Sequence, residues 1–198
     1  IFTKGFTEAR IQNKYNFYSN NVFYNKQNAE LSSKKKTQVL DDKYNLYELD
    51  KFNYSKKEFL LKGKNIKIKT NFNSNINSDE YFFESGFFDL DNRNFNAGNT
   101  KISLQKSIFG NIENDPRLFG VTSFKKGKIT QVNKGIFTSC KKREGCPPWS
   151  IQAQKIIHNK KKKQLIYDHA LLKVYDFPIV YFPKFFHPDP SVERRSGF

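Results

Sequence analysis

The chain has 198 residues, of which 35 are basic and 19 acidic, for a formal net charge of +16. Its apolar runs are too short for a membrane-spanning helix, two cysteines cannot staple a disulfide-rich scaffold, and 37% hydrophobic with 16% aromatic residues argues against wholesale disorder. Lys outnumbers Arg 29 to 6 and Asn, Phe, Ile and Tyr are abundant, a bias toward A/T-rich codons that weakens the charge as a sign of nucleic-acid binding.

Apolar pairs two residues apart recur along the chain: Val22 and Tyr24, Phe52 and Tyr54, Phe59 and Leu61, Ile66 and Ile68, Tyr81 and Phe83. They continue as Ile102 and Leu104, Ile151 and Ala153, Leu165 and Tyr167, Leu172 and Val174. Side chains two apart share one face of a strand, so each pair predicts a half-buried β segment. No convincing helical stripe interrupts them, and the expected fold class is all-β. Phe52–Ile68 and Phe87–Leu104 form a weak internal repeat that aligns Gly63 with Gly98 and, after one inserted residue, Ile66 and Ile68 with Ile102 and Leu104. Each unit reads as strand, polar turn, strand, Gly, strand, which suits a stacked sheet or an elongated jelly roll.

Ile151–Tyr175 has the same rhythm, with Lys160-Lys161-Lys162-Lys163 as its turn. That run is expected to be a solvated turn rather than an anion-binding tip. Turn formers predict loops over Gly110–Gly120 and Ser139–Pro148. From Phe177 onward Pro178, Pro183, Pro188 and Pro190 are interleaved with aromatic and aliphatic residues. Proline lacks an N–H, so this stretch is expected to be a connector or an edge strand. The chain starts at Ile1 and contains no Met, which predicts that it is a piece of a longer protein.

Chemistry-bearing patterns are scarce. His158, His169 and His187 are scattered, Cys140 and Cys146 lack zinc-knuckle spacing, and there is no nucleophile elbow, phosphate loop or dinucleotide fingerprint. Neither enzymatic activity nor a metal or other cofactor is expected. The two Cys could be free thiols, a local disulfide, or partners of Cys elsewhere. Their flanks, Lys141, Lys142, Arg143 and Glu144, suit an oxidising compartment better than a buried thiol.

Gly135–Trp149, then Ile151-Gln152-Ala153, Tyr167, Ala170 and Phe177-Pro178, resembles the N-terminal region of the LptD family of lipopolysaccharide-assembly (organic solvent tolerance, OstA) proteins. Tyr181-Phe182-Pro183, Pro188–Val192 and Arg194–Phe198 resemble that family's passage into its barrel. The likeness is clear over about residues 115–198 and reduces to a strand pattern before that.

The resemblance implies an OstA/LptA-like β-jelly roll with an open groove over residues 1–176, facing the periplasm. Residues 177–198 would connect it to an outer-membrane β-barrel, with Pro178, Pro183, Pro188, Pro190, Arg194, Arg195 and Gly197 forming the junction and exit seam. It further implies that lipopolysaccharide is accepted from an LptA-type bridge protein, and that an LptE-type lipoprotein plugs the barrel. Cys140 would take the family's disulfide role, with Cys146 paired to it or to the barrel. Phe52, Tyr54, Ile66, Ile68, Ile102 and Leu104 are the candidates to line the groove, with Lys at its rim for the phosphates of lipid A. No nucleic acid is expected as a partner. Two other readings stand beside this one. A free-standing LptA- or LptC-like bridge module would lack the Pro-rich run and end near residue 176. A basic nucleic-acid-binding β domain would need clustered Arg among aromatic platforms.

Overall fold

A computed structural model describes residues 1–74, 78–104, 115–141, 145 and 147–188. Within them the chain is all-β. The strands are β1 (Phe6–Ile11), β2 (Tyr15–Asn20), β3 (Phe23–Asn25), β4 (Glu30–Ser33), β5 (Thr37–Asp41), β6 (Leu46–Leu49) and β7 (Lys51–Ser55). Longer strands follow: β8 (Leu60–Lys69), β9 (Glu80–Asp89), β10 (Asn94–Ser103), β11 (Arg117–Lys126), β12 (Ile129–Thr138), β13 (Trp149–Asn159), β14 (Gln164–Val174) and β15 (Phe177–Pro188). All fifteen belong to one open antiparallel sheet, ordered β1-β2-β5-β6-β8 and then β9 to β15 in sequence, with β3-β4-β7 branching from β8. Most of the apolar pairs fall on these strands, but Val22 lies just before β3 and Phe59 sits in the turn before β8.

The sheet folds back on itself because its long strands bend at one level. Ladder pairing skips a residue there: Asn65 between Lys64 and Ile66, Asn99 between Gly98 and Thr100, His169 between Asp168 and Ala170. Asn65, Asn99, Lys134 and His169 all adopt positive φ, between 47° and 50°. A left-handed residue inside a strand turns its direction sharply. Phe83 and Phe88 demonstrate the consequence. Five residues along a straight strand would separate them by roughly 16 Å, yet their ring centroids are 5.9 Å apart.

Two layers result. One carries β3, β4, β7 and the first half of β8; the other carries β1, β2, β5, β6 and its second half. Phe17 of β2 meets Phe52 and Tyr54 of β7 across the gap, with centroids 5.6 and 5.8 Å apart. Close to the bend there is room only for small residues. A Cβ on Gly120 would lie 2.1 Å from Val132 Cγ1, and one on Gly135 would lie 2.7 Å from Ile156 Cδ1.

The hairpin turns explain the sequence repeat. Asn25, Ser55, Asp89 and Asn159 each end a strand and accept hydrogen bonds from backbone N–H groups two or three residues on. Each of these turns then closes on a positive-φ residue, Ala29, Phe59, Arg93 and Lys163 respectively. The Lys run is accordingly a turn, with Lys161, Lys162 and Lys163 exposed. Of the expected loop at 110–120, Arg117–Gly120 is strand, because β11 starts at Arg117.

Of the two forms expected for the Pro-rich run, the structure has the edge strand: Phe177–Pro188 pairs along β14 and closes one side of the sheet. Pro178 stands beside a register shift at Leu172/Lys173, and Pro183 at the level of the bend. Both are places where a missing N–H costs the ladder least.

Candidate functional site

Phe52, Tyr54, Ile66, Ile68, Ile102 and Leu104 are all buried in one continuous apolar cluster between the layers. That cluster is packed: the space among Tyr81, Ile102, Leu104, Leu118, Val132 and Ile156 has essentially no free volume, about 0 Å³. These six side chains are core in this structure, and Phe52 and Ile68 also line open recesses.

A concavity lies outside this packed cluster, lined by residues of β3, β4, β7, β8 and β9. It has a volume of about 800 Å³. An isolated bridge from Phe2 to Phe23 holds the N-terminal residues against β3. Phe2, Phe23, Phe52 and Phe87 supply apolar surface, and the backbone at Gly63 and Gly86 is bare. Phe2, Phe23 and Phe87 are 59%, 49% and 51% exposed, a heavy cost for aromatic rings left in water. Lys34, Lys35, Lys51, Lys62 and Lys64 line the same cleft, and among the described residues no carboxylate does. Lys62 Nζ sits 5.6 Å from the Phe87 ring centre, so one ammonium already lies over an aromatic face. The cleft therefore offers apolar contact and concentrated positive charge together, the two demands of an anionic amphiphile.

Sequence reasoning missed this cleft except for Phe52. The available signal was the doublet Phe87-Phe88: adjacent residues on a strand point to opposite faces, so one ring had to face outward. The curl of β3 that completes the wall is long-range and leaves no local trace.

Opposite the bend, the free ends of the two layers meet along a seam. Arg93, in the β9–β10 turn, is hydrogen-bonded to Asp42 in the β5–β6 turn and lies 3.8 Å from Asp41 at the end of β5. Lys160 donates to Asp79 at 2.9 Å, and the Tyr15 hydroxyl donates to the Leu90 carbonyl at 2.7 Å. Asp41 is fully enclosed and accepts from the N–H groups of Lys43 and Asn45, the Asn45 amide and the Tyr47 hydroxyl. Burial pushes the phenols of Tyr15 and Tyr81 up to about 12. Tyr47 is held well above its ordinary range, first by burial and then by Asp41. Tyr81 and Asp79 raise the Lys160 ammonium, against burial.

Cys140 carries a free thiol, half-buried, with Sγ 3.8 Å from the Trp149 carbonyl. Its backbone is clamped: Arg117 Nη1 donates to the Cys140 carbonyl at 2.6 Å, and the Cys140 N–H donates to Thr138 Oγ1. Cys146, Pro190, Arg194, Arg195 and Gly197 lie outside the described residues. Pro178, Pro183 and Pro188 are exposed on β15, whose Phe177, Ile179, Tyr181 and Phe186 are exposed as well. Among the described residues, no group of three or more His, Cys, Asp or Glu side chains is placed to hold a metal ion.

No protein-family model matches the chain, and no curated protein matches it.

Proposed function

We propose that this chain is the periplasmic jelly-roll segment of an LptD-type protein, and that it takes part in lipopolysaccharide transport and assembly at the outer membrane. The observation that carries the reading is the outer cleft, with its aromatic walls, five lysines and, among the described residues, no carboxylate. Acyl chains would lie against Phe23 and Phe87, each apolar Å² removed from water contributing about 25 cal/mol. The phosphates of lipid A would be held by Lys34, Lys35, Lys62 and Lys64 through charge-assisted hydrogen bonds. Exposed edge β1 would receive the LptA-type bridge protein by strand addition. β15 would lead toward the barrel and its LptE-type plug, with Cys140 and Cys146 available for disulfides to it. The chain acts by binding and not as an enzyme.

The free-standing bridge module is the alternative reading, and the Pro-rich run beyond residue 176, which such a module would lack, counts against it. β15 is an integral edge of the same sheet, paired along its length with β14, rather than a detached linker. The flanking gene sequence separates the two: several hundred downstream residues of alternating, aromatic-girdled strands support the barrel protein, and an early stop supports the bridge.

The binding reading is tested by titrating the chain with fluorescent lipopolysaccharide. Lys62→Glu and Lys64→Glu together should weaken binding by about tenfold or more. Equal affinity in the double variant and the parent would reject the cleft.

A further inference from the structure

Four cations from four separate parts of the chain converge on a second recess, of about 230 Å³, at the seam between the layers. Lys43 comes from the β5–β6 turn, Arg93 from the β9–β10 turn, Lys125 from β11 and Lys160 from the β13–β14 turn. Two of them are already matched, Arg93 by Asp41 and Asp42 and Lys160 by Asp79. Asp89 also lines the recess as a negative charge, and its oxygens accept from the N–H groups of Asp91 and Asn92 and from the Asn92 amide. Among the described residues, no carboxylate forms an ion pair with Lys43 or Lys125.

Lys125 is half-buried, and its ammonium is destabilised first by burial and then by repulsion from Lys160, Arg93 and Lys43, with Asp41 opposing. Holding like charges together in a partly desolvated recess costs free energy unless a counter-charge enters. The pleat of β11 turns Lys125 toward the recess, since its neighbours Phe124 and Lys126 face outward.

We propose that this recess is a binding site for a phosphate-type oxyanion, held between Lys43 and Lys125 with Arg93 and Lys160 at its back. The two uncommitted ammonium groups belong to different layers, so the bound anion bridges the seam and adds a third latch to the ion pairs Arg93–Asp42 and Lys160–Asp79. The site is separate from the outer cleft and stands whether or not that cleft binds lipid.

Thermal unfolding and calorimetric titration with inorganic phosphate test it, in a non-phosphate buffer against sodium chloride at matched ionic strength. Saturable binding with a rise in Tm is expected for the parent chain. Lys125→Met and Lys43→Met should each lower phosphate affinity about tenfold or more, whereas Lys56→Met, in an exposed turn, should leave it unchanged. Glucosamine 1-phosphate serves as the second probe. Tighter binding of it than of inorganic phosphate assigns the site to a sugar-phosphate headgroup, and the reverse order assigns it to the free ion. Absence of saturable phosphate binding in the parent overturns the proposal, as does unchanged affinity in both lysine variants. Should Lys125→Met fail to fold, Lys43→Met decides, because Lys43 lies in an exposed turn.

Discussion

Tyr167 on β14 and His187 on β15 are joined by a hydrogen bond of 2.8 Å between the phenol and Nε2. His187 Nδ1 lies 2.6 Å from the Pro188 carbonyl, which can only accept, so Nδ1 carries the proton and Nε2 accepts from Tyr167. The Phe137 ring packs against the same imidazole at 5.5 Å. This contact fastens a strand that, among the described residues, pairs on one side only, with β14. Tyr167→Phe should therefore cost about 1 kcal/mol in urea unfolding. It should also speed amide exchange in β15 more than in β12. Equal acceleration throughout the sheet would show that the bond is not a local fastener.

Tyr15 and Tyr81 have phenols pushed to about 12 in the folded chain, against an ordinary 10.0. The folded state thus holds these protons more tightly than the unfolded state does. Their contribution is present in full below pH 10 and is lost as pH rises from 10 through 12. For buried Tyr81 it is roughly 2–3 kcal/mol. Absorbance titration at 295 nm should show phenols that ionise only as the chain unfolds. Ionisation of all ten tyrosines near pH 10 with the fold intact would contradict this.

The bend demands small residues, which makes Gly120 a test of the folded-over sheet. Gly120→Ala would bring a methyl against Val132 and should cost about 1–3 kcal/mol. Adding Val132→Ala removes the clashing Cγ1 and should recover part of that loss, beyond the sum of the two single changes. Strict additivity would mean that the two residues do not meet.

Arg117 clamps the Cys140 carbonyl, so Arg117→Met should free that loop. Reaction of Cys140 with a thiol reagent under native conditions should accelerate several-fold. An unchanged rate would place the barrier elsewhere, for example in the Thr138 bonds to the Cys140 N–H and the Trp149 carbonyl.

Alternation was enough to identify the fold class, because a period of two places Ile66, Ile68, Ile102 and Leu104 on one face whatever the topology. The repeat was legible in the recurrence of Gly63 with Ile66 and Ile68 as Gly98 with Ile102 and Leu104, and the structure adds turns in which Ser55, Asp89 and Asn159 side chains cap backbone N–H groups. The bends were not. Asn65 and Asn99 tolerate positive φ, but Lys134 and His169 carry no such mark, and only the packing around them imposes it. Groove and core could not be told apart either. Both require inward apolar faces, and the difference lies in how closely the two layers approach. The seam stayed hidden for a related reason: Arg93 meets Asp42, and Lys160 meets Asp79, only once distant turns have been brought together.

Site-specific photocrosslinking to lipopolysaccharide tests the central claim most directly. A benzophenone residue placed at Phe87 in the cleft is compared with one at Phe124, which is also exposed but lies outside the cleft. Crosslinking at position 87 that exceeds that at 124 and is competed by unlabelled lipopolysaccharide is the predicted result. Equal labelling at the two positions, or none at 87, would contradict the account.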